Sequence, residues 1–190
     1  MSVLPIVTYN DPVLKEKTKP VEMIDKELEK FIDDLFETMY NARGVGLAAP
    51  QVGELISIFV ADADLMAEET GEPAYGPIVF INPEIKELKG EVIRMEEGCL
   101  SIPEVRDDVK RHESVVLSYR DRDFDLKEQE FTGWLARVIQ HEYDHLQGIL
   151  FLDHLSAFKR RVHKSKLQKI DSGLLETEYP LVPKTIAKQS

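Results

Sequence analysis

Two histidines four residues apart, with a glutamate after the first, stand in the run Gln140-His141-Glu142-Tyr143-Asp144-His145. On a helix these histidines lie one turn apart on one face, so His141 and His145 can share a metal ion. Glu142 then stands beside that ion without having to bind it. A carboxylate so placed can take a proton from an activated water, which is what metal-assisted hydrolysis requires.

Two imidazoles need at least one further protein ligand. Motifs of the form H-E-x-x-H-x-x-G-x-x-H take it downstream, but here the match runs through Gly148 and then meets Phe151 in place of the third histidine. His112, His154 and His163 have no partner at ligand spacing and read as surface or hydrogen-bonded histidines. Cys99, within Glu97-Gly98-Cys99-Leu100-Ser101, is the better candidate. A lone cysteine is more often an inert buried residue. Here Gly98 lets the backbone approach closely, and the site otherwise lacks a ligand. Two imidazoles and a thiolate leave one tetrahedral position for water, and they suit Fe(II), Zn or Ni rather than Mg or Ca.

A third stretch is Gly44-Val45-Gly46-Leu47-Ala48-Ala49-Pro50-Gln51. Alone, its glycine pair reads as a cap and turn. No Lys-Ser/Thr follows the glycines, so a phosphate loop is disfavoured. Its small residues let another backbone, such as a peptide substrate, lie close. Gln51 can donate an amide hydrogen to a developing oxyanion.

Elements must hold these residues together. Thr132 is a candidate N-cap for a helix holding Leu135, Val138, Ile139 and Leu146, with Gly148 as its C-terminal cap glycine. An earlier helix begins at Asp25 and carries Leu28, Phe31, Ile32, Leu35 and Met39 at helical spacing, a stripe to bury against a sheet. Asn10-Asp11-Pro12 marks a turn opening a short helix through Lys15. Residues 54–61, 78–82 and 114–119 read as strands, with 91–95 and 124–131 as further ones. Asp64 to Gly76 reads as an acidic loop. A second apolar and basic helix runs from Ser156 to about Ile170, and 173–190 as a loosely packed tail. Without a βαβ rhythm the class is α+β.

The composition of these 190 residues fits one globular domain, or one with a tail. The net charge of −11 argues against general DNA or RNA affinity. Residues 158–170 carry six basic side chains and no acid, so this segment is +6 and the rest −17. The single cysteine excludes an internal disulfide and fits a reducing cytoplasm. The opening MSVLPIVTYNDP has no basic segment followed by a long apolar run, so no signal peptide is expected. No window approaches the roughly 18 uncharged apolar residues of a membrane span.

Taken together, GVGLAAPQ (44–51), EGCLS (97–101) and QHEYDH (140–145) make the chain resemble the peptide deformylases, over roughly residues 5 to 170. That family removes the formyl group from the N-terminal methionine of new bacterial and organellar polypeptides. The resemblance implies an α+β fold of mixed and antiparallel strands around a central HExxH helix, with a C-terminal helix and tail. It divides the chain into a catalytic domain, 1–172, and a tail, 173–190. It implies Cys99, His141 and His145 as metal ligands, Glu142 as general acid/base, and Gln51 with the Leu100 N–H as oxyanion donors. The native ion is expected to be Fe(II), with Zn or Ni as possible replacements.

Substrate contacts are expected at Gly44, Val45, Gly46, Glu97, Gly98 and Val138, with Trp134 completing a methionine pocket. Arg137 reads as a stem along the wall with its head in water. Asp144 is expected either to pair with Arg111 or Arg106 or to stand exposed. The partners implied are formyl-methionyl nascent chains, and the basic 159–169 segment is compatible with ribosomal RNA contact. The competing enzyme reading, an HExxH metallopeptidase cutting internal peptide bonds, leaves Cys99 and Gln51 without roles. A structural metal site holding a binding module would want a fourth protein ligand, and none is evident.

Overall fold

The computed structural model describes residues 2–183. Its main sheet has five antiparallel strands in the order β2 (Gly46–Ala48), β3 (Ile58–Ala61), β4 (Ile78–Cys99), β5 (Ile102–Arg120) and β6 (Leu126–Thr132). Helix α3 (Gly133–Leu146) covers one face and α1 (Lys26–Asn41) the other. The alternation of strand side chains explains this sandwich. In β3, Phe59 and Ala61 point into the core with α3, while Ile58 and Val60 point into the core with α1. In β5, Val115, Leu117 and Tyr119 all face α3, where Phe80 stacks with Phe59 and meets Phe131 edge-on.

Helix α1 forms as its spacing predicts. The Asp25 carboxylate caps it by accepting from the Leu28 N–H at 2.8 Å, and Ile32, Leu35 and Met39 are buried. Asp11 likewise caps a short 3-10 turn over Pro12–Lys15.

The strand β3 starts only at Ile58, because the chain before it bonds to Lys19 through Leu55 O and the Ser57 N–H. Strand β4 extends far beyond 78–82 and absorbs 91–95. With β5 it forms a ribbon with register shifts at Ile81/Glu84, Ile85/Glu87 and Lys89/Val92. Much of 84–96 is exposed, so the apolar alternation that marks a half-buried strand is missing there.

The acidic stretch from Asp64 to Gly76 is not simply a loop. Asp64–Thr70 forms helix α2, closed by Gly71 at φ +72°. Only Ala67 of that helix is buried, which leaves no apolar stripe to read. The Asp64 carboxylate accepts from the Tyr75 and Gly76 N–H groups and folds the segment back on itself.

The basic helix expected over 156–170 is two helices, α4 (Ala157–Val162) and α5 (Lys164–Asp171), joined at His163. The His163 ring bonds Asp107 of β5 at 2.8 Å and anchors the joint. Beyond it the expected tail is not loose where it is described. Leu181–Val182 forms β7, parallel to β1 (Ile6–Val7). Residues 184–190 of that tail lie outside the described residues.

Candidate functional site

Helix α3 lies with Arg137, Val138, His141, Glu142 and His145 all buried. Its N-cap is Thr132, but the threonine hydroxyl makes no cap bond. Glu72, from the segment after α2, accepts from the Trp134 N–H at 2.7 Å instead. Gly133, at φ +62°, leaves the room that the Glu72 carboxylate occupies. A carboxylate at a helix N-terminus meets unpaired N–H groups and the positive end of the dipole.

Strand β4 ends at Cys99, and the turn into β5 brings its sulfur 3.3 Å from His145 Nε2. One donor atom each from Cys99, His141 and His145 lie within 4.8 Å of one another. Two side-chain polar atoms beside them, Glu142 Oε2 and His145 Nδ1, are buried with no hydrogen-bond partner among the described residues. A thiol and two imidazoles drawn together, with an unpartnered buried carboxylate oxygen on the same helix, fit a soft divalent ion and a water.

The His141 ring is fixed from behind. Its Nδ1 bonds Glu97 Oε2 at 2.9 Å, which leaves Nε2 for the metal point. Glu97 in turn accepts from Arg111 at 2.6 and 3.0 Å and from Arg137 at 3.0 Å. Burial alone would raise the Glu97 carboxyl, but the His141 and Arg111 hydrogen bonds and the Arg111 charge hold it well below the usual carboxylate range.

Arg111 also reaches Asp144 at 2.8 Å, while Arg106 lies near Glu96. Arg137 departs from the sequence reading: it is 4% exposed, and its head is not in water. Its guanidinium donates to Glu97 and to the carbonyls of Val109 and Ile93, each at 3.0 Å. The ribbon of β4 and β5 supplies those acceptors, and nothing near Arg137 in the sequence announces them.

Burial pushes the Glu142 carboxyl up to about 7, against the pull of His141 and with a further push from Glu97. The strand β2 presses directly on this residue. A Cβ at Gly46 would meet Glu142 Oε1 at 2.5 Å and a Val138 methyl at 2.8 Å, so only glycine fits there. Gln51 follows on a 3-10 turn. Its Oε1 accepts from the Ala48 N–H at 2.8 Å, which commits Nε2 to the site, 3.5 Å from Cys99 Sγ and 3.3 Å from Ser101 Oγ.

A cleft of about 580 Å³ opens over these groups. Gly44, Val45, Gly46, Gly98, Trp134 and Val138 border it. Glu97 borders it too, but its carboxylate is taken up by the two arginines and His141, and the residue is 6% exposed. Parts of the wall had no sequence signal, among them Met66 of α2, Ile102 to Arg106 at the start of β5, and Glu176 to Tyr179 near the C-terminal end.

The chain is similar to known proteins over nearly its whole length. A family model described as polypeptide deformylase matches residues 3–161. A peptide deformylase of Salinibacter ruber is 49% identical, over 96% of this chain and 95% of that protein. A solved peptide deformylase of Legionella pneumophila superposes with a TM-score of 0.81 at 40% identity, covering 91% of this chain and 98% of that one. One from Ehrlichia chaffeensis, solved in complex with actinonin, gives 0.82 at 41%, covering 89% and 98%.

Proposed function

The chain belongs to the polypeptide deformylase family, metal-dependent hydrolases that remove the N-formyl group from new polypeptides, and we propose how its own residues carry out that reaction. Cys99, His141 and His145 hold the ion. The observation that carries this is their convergence within 4.8 Å beside the unpartnered Glu142 oxygen. Iron(II) is the native ion on this reading, as membership of the family implies, with zinc or nickel as replacements, since a thiolate and two imidazoles suit all three. When bound, it supplies Lewis acidity that polarises the formyl carbonyl and brings a water's pKa toward neutrality.

Glu142 takes the proton from the attacking water and later gives it to the departing amine, so formate and a free N-terminus result. The Gln51 amide, held by the Ala48 N–H, and the Leu100 N–H donate to the formyl oxygen as charge develops on it. Glu97 holds His141 in the tautomer with Nδ1–H, and Arg111 and Arg137 hold Glu97. The methionine side chain lies against Val45, Trp134 and Val138, while Gly44, Gly46 and Gly98 let Leu100, Glu142 and Arg106 pack against the backbone around it. Val138→Trp fills that pocket; an unchanged methionine preference would place the pocket elsewhere. An internal peptidase would leave Cys99 and Gln51 idle.

The decisive experiment is anaerobic purification with metal analysis, followed by formate release from a formyl-methionyl peptide. Metal-loaded protein that releases none overturns the reading.

The cytoplasm is the proposed compartment, since a chain with a single cysteine and no internal disulfide fits reducing surroundings. No helix among the described residues is long and apolar enough to cross a membrane. Exposed Phe158 and Val162 lie among the basic side chains of α4 and α5. Lys159 is paired with Asp107, while Arg160, Arg161, Lys164 and Lys169 form no ion pair with described residues. This face suits ribosomal RNA, and the contact should weaken steeply with salt. Salt-insensitive binding, or none, counts against it.

A further inference from the structure

The C-terminal segment lines part of the cleft and is tied down at both ends. At its start, Asp171 accepts from the Tyr9 hydroxyl and the Asn10 amide, each at 2.8 Å. At its end, Leu181 and Val182 pair with Ile6 and Val7, and the Ile6 N–H donates to Pro180 O at 2.9 Å. Between these anchors Glu176, Thr177, Glu178 and Tyr179 form part of the cleft wall. The Tyr179 ring packs on the core beneath α1, as does Leu100. Its hydroxyl donates to the Leu100 carbonyl oxygen at 2.8 Å. Burial, reinforced by Cys99, holds the phenol well above the usual tyrosine range, so it stays protonated and remains a donor.

The turn that follows Cys99 is tethered at successive residues. The Ser101 carbonyl accepts from the Tyr9 N–H at 2.9 Å, and its hydroxyl from Gln51. The Leu100 side chain fills the space a Cβ on Gly44 would take, at 2.8 Å. The Leu100 backbone has Tyr179. We propose that Tyr179 is a positioning residue for deformylation, holding the Leu100 carbonyl and through it the direction of the Leu100 N–H. This rests on the reading of Leu100 as an oxyanion donor. The N–H and C=O of one residue sit on adjoining peptide planes, so anchoring the carbonyl restricts how far the N–H plane can rock. An oxyanion donor works only when aimed within hydrogen-bond distance of the developing charge. A rocking donor weakens the transition state more than the bound substrate, so the effect falls on kcat.

The test compares Tyr179→Phe and Tyr179→Leu with the wild-type chain, all metal-loaded, on a short formyl-methionyl peptide. Tyr179→Phe keeps the ring and should lower kcat about three- to tenfold, the range of one neutral hydrogen bond. Its KM should stay within about twofold, with metal content and melting temperature unchanged. Tyr179→Leu should show the same kcat loss and, having lost the ring, a lower melting temperature. A Phe variant with wild-type kcat overturns the proposal, since ring packing would then be the whole role. A kcat loss that tracks lost metal or lost stability also overturns it. Wild-type protein that releases no formate sinks both this proposal and the catalytic reading, whereas a fully active Phe variant sinks this one alone.

Discussion

The helix that carries His141, Glu142 and His145 meets the turn that carries Cys99 and Leu100 at a sulfur–nitrogen distance of 3.3 Å, yet the two are fixed by different means. The helix side is held by buried charge. Glu97 binds one histidine and two guanidinium groups, and Asp144 extends the same network through Arg111. The turn side is held by neutral hydrogen bonds and close packing from Tyr9, Gly44, Gln51 and Tyr179. Charged networks fail abruptly when one member is removed, because the others stay buried without a counterion. Neutral tethers fail gradually, one at a time. The placement of the α3 side chains therefore depends on stability, and that of the turn on aim.

The largest effect expected on the helix side is chemical. Glu142→Ala should keep the metal and lower turnover by about three orders of magnitude or more. Near-normal formate release by that variant would remove Glu142 from its role. Next is Glu97→Ala, which strands Arg111 and Arg137 and should cost about 3–5 kcal/mol in denaturant unfolding. It should also weaken metal binding about 10- to 100-fold in a chelator competition. If Glu97→Ala costs no more than the neutral Ser101→Ala, the contrast between the two sides collapses. Ser101→Ala removes one acceptor of the Gln51 amide, so its effect on kcat should be at most about tenfold, with little change in stability.

Two pH effects separate the same groups. In the proposed role of general base Glu142 must be ionised, so kcat/KM should fall as the medium is acidified. Its carboxyl is pushed up to about 7 by burial, and a bound cation opposes that, placing the acidic limb below about 7. A pH–rate profile with that limb above 7 would argue for a different base. Glu97 is shifted the other way and contributes to stability. Its folded carboxyl titrates far below its unfolded value of 4.5. The stabilisation is therefore complete above that value and is lost progressively as pH falls beneath it. Thermal melts of Glu97→Gln and wild type should converge in acid.

The smallest effect tests who caps α3. Glu72→Ala should cost about 1 kcal/mol, the usual worth of a cap, and Thr132→Ala less than about 0.5 kcal/mol. The reverse order would restore the threonine as the cap.

The same contrast explains what could be read from the sequence. His141, Glu142 and His145 are legible because one helix turn relates them, and a period of 3.6 needs no tertiary knowledge. Cys99 and Gln51 were found by residue type, as a missing ligand and a missing donor. The fold class followed from strand and helix patterns, but the ribbon of β4 and β5 did not, because much of its middle is exposed and shows no buried face. Arg137 was misread for the same reason. Its acceptors are carbonyls of Ile93 and Val109, far off in the chain, and only the folded ribbon brings them near. Tyr179 offered no signal beyond an aromatic residue beside a proline.

The pairing of β1 with β7 joins Ile6 to Leu181, about 175 residues apart, and each strand has only two residues. So short a ladder closing so long a loop is a weak latch, and it should open in sub-global fluctuations well before the sheet or α3 does. Amide exchange should therefore rank Ile6 and Leu181 far below Ile139 and Val115 in protection. Each such opening would free Tyr179 while Cys99, His141 and His145 stay in place. The proposed metal site would then stay assembled while the Leu100 N–H, the proposed oxyanion donor, goes unsteadied for part of the time.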